Sequence, residues 1–384
     1  MRRPMNSALA KLKPSGIRRI NQLAAQTPGC IALALGEPDF DTSAPVREAA
    51  KTALDEGITH YPPNNGTLAL REAIAAYMAD PATGDPRLVY DPGEVIVTVG
   101  ATEALHAAFG ALLNPGDEVI IPTPTFALVE SITVSHHATP IYMDTTAGGF
   151  QIDEAELRAL VTPATKAIII NSPNNPTGVV LSVDSLDAVA HVAGETGIYV
   201  VCDDVYNRLV YTDAYERFAA RHSELREQTI VVDSFSKPWA MTGWRLGWLA
   251  ADAPVAAEIA KMHQYMVSSA ASFEMPAGVI ALATDPEPML EVYRARRGRV
   301  VAALEEMSLP FVEPEGAFYA FPQVGVTGLS SDEFCERAIR EAGVALVPST
   351  CFGTEGCARL SYCIADDDLD EGLRRLGTFV EGLL

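Results

Sequence analysis

The sequence predicts an α/β fold: a large domain with a mostly parallel seven-stranded sheet flanked by helices, joined to a smaller α+β domain. Between residues 94 and 250, short apolar runs alternate with segments of helical periodicity or tight turns, the pattern of strands connected by crossover helices. Polar clusters fall where those runs end, and in such sheets the working residues gather at the carboxyl ends of the strands. Beyond about Pro286 the character changes to a long helical stretch followed by short mixed elements.

In chain order, the apolar runs are "EVIVTVG", "EVIIPTPTF", "TPIYMD", "KAIIINSP", "IYVVCDDVY", "IVVDSFS" and "RLGWLA". They are short and largely apolar, as the strands of a mostly parallel sheet read. "TEALHAAFGALL" and "VDSLDAVAHVAGETG" carry the i, i+3, i+4 apolar spacing of amphipathic helices. Ile230 to Phe235 and Trp244 to Leu249 read as strands with a lysine, Lys237, in the turn between them. A helix from about Pro286 to Met307 leads to "FVEPEGAFYAFP", "GVALVPSTCFG" and "CARLSYCIA", the smaller domain.

With 384 residues, 48% of them hydrophobic, the chain can bury a large core and a second one. No run approaches the roughly 18–20 apolar residues of a membrane span. "MRRPMNSALAKLKPSG" is basic without an apolar core, so no signal peptide is expected. A net charge of −22 argues against a nucleic-acid surface and for a cytoplasmic protein, with any anionic ligand held by local cations. Cys30, Cys202, Cys335, Cys351, Cys357 and Cys363 form no CxxC pair and no defensible zinc spacing; buried free thiols are expected, and no metal.

Four clusters carry chemistry. In "TVGATEALHAAF" a strand ends at Gly100 and a helix begins near Thr102, which reads either as an ordinary capped turn or as an anion site built from free N–H groups. No GxGxxG or P-loop pattern is present. In "VVCDDVYNRL" Asp203 ends a strand and Tyr206 follows it; a carboxylate there caps a turn or partners a buried cation. "NSPNNPTGVV" is a tight turn that also offers the Asn175 amide to a ligand. In "SFSKPWAMTGWRLGW", Ser234, Ser236 and Arg245 supply donors suited to a phosphate. Lys237 supplies an amine that becomes nucleophilic when desolvated. An amine, a phosphate cradle and a carboxylate for a ring nitrogen together meet the needs of pyridoxal 5'-phosphate.

From "GEPDF" at Gly36 to "ARLSY" at Arg359, with "NNPTG", "DDVY" and "SFSKPWAMTGWRLGW" in order, the chain resembles the fold-type I pyridoxal-phosphate aminotransferases, class I/II, the aspartate and aromatic aminotransferase group. The resemblance implies an aspartate aminotransferase-like division, with residues 45–275 as the large cofactor-binding domain and 1–44 with 276–384 as a small substrate-clamping domain. It implies that Lys237 holds the cofactor as an internal aldimine and shuttles a proton, that Asp203 pairs with the pyridine nitrogen, and that Tyr206 and Asn175 bond the ring oxygen. Phe126 takes the stacking position, where many relatives carry a larger aromatic. Ala101, Thr102, Ser234, Ser236 and Arg245 contact the phosphate. Tyr61, in "HYPPNNG", resembles the tyrosine that reaches the neighbouring subunit's phosphate, which implies a homodimer. Arg359 clamps the substrate α-carboxylate and Gly36 approaches it through its backbone. "SFEMP" departs from relatives that carry a glutamine followed by small residues, which puts the packing at Glu274 and Pro276 in question.

The implied function is a transaminase moving an amino group between an L-amino acid and a 2-oxo acid such as 2-oxoglutarate, by a ping-pong route. A C–S β-lyase on the same fold is the alternative, and a non-catalytic ligand sensor a more distant one. A dicarboxylate substrate needs a second cation. The two places where relatives carry one read Ala101-Thr102-Glu103 and "MVSSAASFEMP" here. Neutral or aromatic amino acids are therefore expected ahead of aspartate, unless Lys11, Lys13, Arg18 or Arg19 closes over the site.

Overall fold

The computed structural model describes residues 6–12 and 16–384, without the Lys11 side chain. Seven strands form one sheet: β1 (Val95–Thr98), β2 (Glu118–Thr123), β3 (Thr139–Asp144), β4 (Thr165–Asn171), β5 (Tyr199–Asp203), β6 (Thr229–Ser234) and β7 (Gly247–Ala251). Their order is β1-β7-β6-β5-β4-β2-β3. All pairings are parallel except those of β7, which runs antiparallel to both β1 and β6.

Side chains alternate across the sheet, as the two-residue strand period demands. Ile96, Ile169, Val201, Ile230 and Val232 enter one apolar cluster with Phe109 and Ile259. Val95, Val97 and Val231 enter a second with Trp248 and Phe235, and Ile168, Ile170, Val200 and Cys202 a third. Both faces are thus covered, which accounts for the nearly unbroken apolar runs.

The connecting helices stop and start where their ends dictate. Val183–Thr196 begins at Ser182, whose hydroxyl accepts from Ser185 N, and ends at Gly197, which takes the left-handed conformation with φ 72°. Gly100–Leu112 follows β1 directly. Gly247, opening β7, has no room for a side chain: an added Cβ would lie 2.9 Å from the Gly100 carbonyl carbon. The sheet therefore meets the start of that helix at close range.

One expected strand is shorter than its sequence suggests. Thr242–Trp244 is a turn of 3-10 helix and β7 begins only at Gly247. Between them Arg245 adopts φ 57°, which reverses the chain and brings its guanidinium against Gly100, where an added Cβ would meet Nη2 at 2.9 Å. Apolar residues alone do not reveal that reversal.

A second assembly lies beside the sheet. Tyr319–Ala320, Ala358–Ser361 and Val347–Pro348 form a three-stranded antiparallel sheet with Ala358–Ser361 in the middle. Ile31–Ala32 pairs with Val344–Ala345. A single apolar cluster joins Ile20 and Leu33 to Tyr293, Phe318, Leu360 and Val380, tying the helix Gly16–Gln26 to the C-terminal half. The cysteines are all free; Cys202, Cys335, Cys357 and Cys363 are buried, while Cys30 and Cys351 are only half-buried. Among the described residues no helix is long and apolar enough to cross a membrane.

Candidate active site

The sheet registers bring the polar clusters to one edge. Asn171 faces Asp203 at the ends of β4 and β5, and Gly247 lies opposite both Thr98 and Ser234. Over this edge opens a cavity of about 540 Å³, within the range of cofactor sites. Its walls include Gly36, Ala101, Thr102, Phe126, Asn175, Asp203, Tyr206, Ser234, Ser236, Lys237, Arg245 and Arg359. The structure thus gathers the site residues named from the sequence, apart from Tyr61. That residue is 90% exposed and does not line the cavity of its own chain.

Lys237 sits in the turn after β6 and donates from Nζ to the Gly36 carbonyl at 2.5 Å. Burial lowers its pKa to about 8, assisted by the Arg359 and Arg245 charges and opposed by Cys363 and Glu37. A neutral amine is accordingly accessible near physiological pH, as nucleophilic chemistry requires. Asp203 moves the other way. Burial raises it to about 7, with the Asp204 charge adding to the rise and Lys237 opposing it. Its Oδ1 is buried and has no hydrogen-bond partner.

Asp204, the other carboxylate of the pair, turns away from the cavity. It accepts from Arg217 Nε at 2.9 Å, behind the sheet edge. Asn171 organises the turn that follows β4: its Nδ2 donates to the Asp203 carbonyl at 2.8 Å, and its Oδ1 accepts from Asn175 N at 2.8 Å. Asn175 Oδ1 in turn accepts from Arg359 Nη1 at 2.9 Å.

Arg359 lies on the central strand of the small sheet and is 2% exposed. Nη2 donates to the Ala34 carbonyl at 2.8 Å, while Nε has no partner. Its guanidinium lies over the Tyr319 and Phe352 rings, 4.6 and 5.1 Å from their centroids. Among the described residues it forms no ion pair. A buried guanidinium without a carboxylate is costly, and its place in the cavity wall suits it to receive one.

At the opposite end, Ser234 Oγ donates to Ser236 Oγ at 2.7 Å, and Ser236 N donates back to Ser234 Oγ at 2.9 Å. These hydroxyls, the start of the helix at Gly100 and the Arg245 guanidinium form a donor-rich pocket suited to a dianion. An orphaned carboxylate oxygen, a desolvated lysine and an anion pocket fit pyridoxal phosphate as a set.

Two residues carry more than their sequence signal showed. Tyr319 lines the cavity, and its hydroxyl lies 3.0 Å from that of Tyr206. It also stands close enough to Gly36 that an added Cβ there would meet it at 3.2 Å. In sequence it is one aromatic in the run "GAFYAF", with nothing to separate it from core. Asn21, on the N-terminal helix, lines the cavity with Ile17; no local motif marks either.

Comparisons with known proteins show the family. The family model "Aminotransferase class I and II" matches residues 28–376. A probable N-acetyl-LL-diaminopimelate aminotransferase of Bacillus subtilis is 40% identical, over 98% of this chain and 95% of that protein. An aspartate aminotransferase of Pyrococcus abyssi is 40% identical over 97% of both. The crystal structure of an aromatic aminotransferase from Pyrococcus horikoshii superposes with a TM-score of 0.88 at 38% identity, covering 95% of this chain and all of that one. The chain belongs to the class I and II aminotransferases, pyridoxal-phosphate enzymes of the aspartate aminotransferase fold.

Proposed function

We propose that this transaminase takes neutral or aromatic L-amino acids in preference to aspartate and passes the amino group to a 2-oxo acid such as 2-oxoglutarate by a ping-pong route. The observation that carries the preference is the cavity wall. Ile17, Leu35, Leu105, Leu128 and Phe126 supply apolar surface, and the lining cations are Lys237, Arg245 and Arg359. Each of those three already has a task in this reading, so a side-chain carboxylate finds no cation of its own among the described residues. Arg19 is held by Asp332 at 2.6 Å and Glu336 at 2.5 Å. Arg18 is exposed and does not line the cavity. Lys13 and the Lys11 side chain lie outside the described residues.

In this reading Lys237 anchors the cofactor aldehyde, Asp203 accepts a hydrogen bond from the ring nitrogen, and Tyr206 and Asn175 hold the ring oxygen. Phe126 covers the ring face. Ala101, Thr102, Ser234, Ser236 and Arg245 hold the phosphate. Gly36 and Arg359 hold the substrate carboxylate. The cofactor, when bound, supplies the electron sink for the carbanion formed at the substrate Cα. With the cofactor in place, Lys237 would be the amine positioned to take the Cα proton and return it. Asp203 as an anion would keep the ring nitrogen protonated, because a carboxylate beside it favours the charged form.

The division into 45–275 against 1–44 with 276–384 belongs to the same reading; the N-terminal helix shares an apolar cluster with the C-terminal half, and that cluster also takes in Phe150, Val179, Val205, Tyr206 and Leu209. The homodimer belongs to that reading as well. A tyrosine that is 90% exposed away from its own cavity is placed as a residue serving a neighbour would be. Mixing Tyr61→Phe subunits with Lys237→Ala subunits tests it: hybrids regain activity if sites are shared and stay inactive if each chain uses its own tyrosine.

Borohydride reduction and peptide mapping test the anchor; a label on Lys166 or Lys261 would refute it. Single-turnover rates with phenylalanine, alanine, methionine and aspartate test the preference, which fails if aspartate leads by about tenfold or more. Release of pyruvate from cysteine conjugates without any 2-oxo acid would favour a β-lyase instead.

A further inference from the structure

Away from the cavity lies a buried ion pair to which the chemistry above gives no task. His263, on the helix Ala253–Val267, is 0% exposed. Its Nδ1 lies 3.0 Å from Glu103 Oε1 and its Nε2 lies 2.9 Å from the Asn64 carbonyl. Glu103 stands in the first turn of the helix Gly100–Leu112, and its Oε2 accepts from Val99 N at 3.1 Å. The carboxylate therefore reaches back to the same helix start whose Ala101 and Thr102 line the cavity. Asn64 belongs to the loop that carries Tyr61, and its Nδ2 donates to the Ala260 carbonyl at 3.2 Å.

A carbonyl oxygen only accepts, so Nε2 must donate to Asn64. Nδ1 then shares one proton with Glu103, and imidazole is the more basic of the two. A helix start also favours the carboxylate anion. Burial pulls His263 down, but the hydrogen bond and charge of Glu103 outweigh it and leave the ring above its ordinary value. The pair as a whole is neutral. Without the imidazole, a full negative charge would sit in the helix turn that faces the phosphate.

We propose that His263 is a positioning residue for the cofactor phosphate: it cancels the Glu103 charge at the start of the helix Gly100–Leu112 and pins the Asn64 loop beside it. The proposal rests on the reading that this helix start, with Ser234, Ser236 and Arg245, cradles the phosphate. Glu103 caps the helix by accepting from Val99; His263 makes that cap compatible with a dianionic ligand one turn away.

The test compares apo-enzyme binding of pyridoxal phosphate and of pyridoxal, which lacks the phosphate, followed by absorbance at pH 8. His263→Gln weakens pyridoxal phosphate by about tenfold or more and leaves pyridoxal within about twofold. Adding Glu103→Gln to the same chain restores most of the loss. Equal weakening of both ligands, no weakening, or no restoration overturns the proposal. Should His263→Gln fail to fold, Glu103→Gln alone decides: it leaves pyridoxal phosphate bound as tightly or more tightly, and a weaker complex overturns the idea. If the unaltered enzyme itself binds pyridoxal as tightly as pyridoxal phosphate, the phosphate cradle is wrong, and this inference falls with it.

Discussion

Two buried arginines flank the site, and they are partnered in opposite ways. Arg217 is 6% exposed and lies behind the sheet edge, with Nε 2.9 Å from Asp204 and Nη2 3.7 Å from Asp233. Arg359 is 2% exposed and faces the cavity with only neutral acceptors. Burying a guanidinium is costly in either place. Carboxylates of the chain offset that cost at Arg217, whereas at Arg359 the matching anion has to come from outside. The first arginine pairs with the chain's own carboxylates, and in the proposed reading the second receives the substrate's.

The contrast is broken most severely at Arg217. Arg217→Met leaves Asp204 and Asp233 buried without a cation, and stability falls by about 3–5 kcal/mol. Arg359→Met, by comparison, removes an unpaired buried charge and leaves stability unchanged or raised. Urea unfolding of the two apo-proteins checks the pair. Similar losses in both would mean that Arg359 is structural too.

Asp203 lies between the two arginines and supplies a pH signature. Its folded pKa is raised from 3.8 to about 7 by burial and by Asp204. A raised carboxylate holds its proton in the folded chain after the unfolded chain has lost it, so the unfolded state gains as pH rises from about 4 to about 7. The apo-protein should lose up to about 1.4 kcal/mol per pH unit in that window through this group. Asp203→Asn should flatten the profile there. Asp233, also raised by burial, keeps its own slope in both proteins, so only the difference between the two profiles counts. Parallel profiles would place the perturbed carboxyl elsewhere.

At Arg359 the expected loss is in catalysis. Lysine keeps the charge but not the planar fork. Losing charge-assisted hydrogen bonds of about 1.5–3 kcal/mol lowers kcat/KM by about 10- to 150-fold. The loss should be shared by every amino acid donor, because all carry the α-carboxylate. A loss confined to one donor would assign Arg359 to the side chain instead.

The sheet and the polar clusters at its strand ends were legible for the same physical reason, whereas Gly36, Phe126, Arg359 and Tyr61 were named only through the family resemblance. Strands buried on both faces must read as apolar runs, and the residues at their ends must be polar if they work there. Lys237, Asp203 and Asn175 stand out against such a background. The reversal at Arg245 was not legible, because it depends on one positive φ and on the open space at Gly100. Nor was Tyr319, whose position depends on how the small sheet is placed over the large one. His263 gave no sequence signal, since its partners lie 160 and 199 residues away.

Tyr319 provides the mildest test of the contrast, because it touches both Arg359 and Tyr206. Its hydroxyl lies 3.0 Å from Tyr206 Oη, and its ring lies under the Arg359 guanidinium. Burial raises both phenols, Tyr319 to about 12 and Tyr206 likewise upward, so both are neutral at working pH. For Tyr206 to give its proton to a ring oxygen, Tyr319 has to donate to Tyr206. Tyr319→Phe removes that donor and keeps the ring beneath Arg359. A neutral hydrogen bond is worth about 0.5–1.5 kcal/mol, so kcat should fall by about 2- to 10-fold with KM nearly unchanged. The absorbance titration of the bound cofactor should shift as well, because the hydrogen bonding at the ring oxygen has changed. Tyr319→Leu also removes the ring under the guanidinium and should raise KM. If Tyr319→Phe raises KM instead and leaves the titration in place, the hydroxyl serves the substrate carboxylate beside Gly36 and not Tyr206.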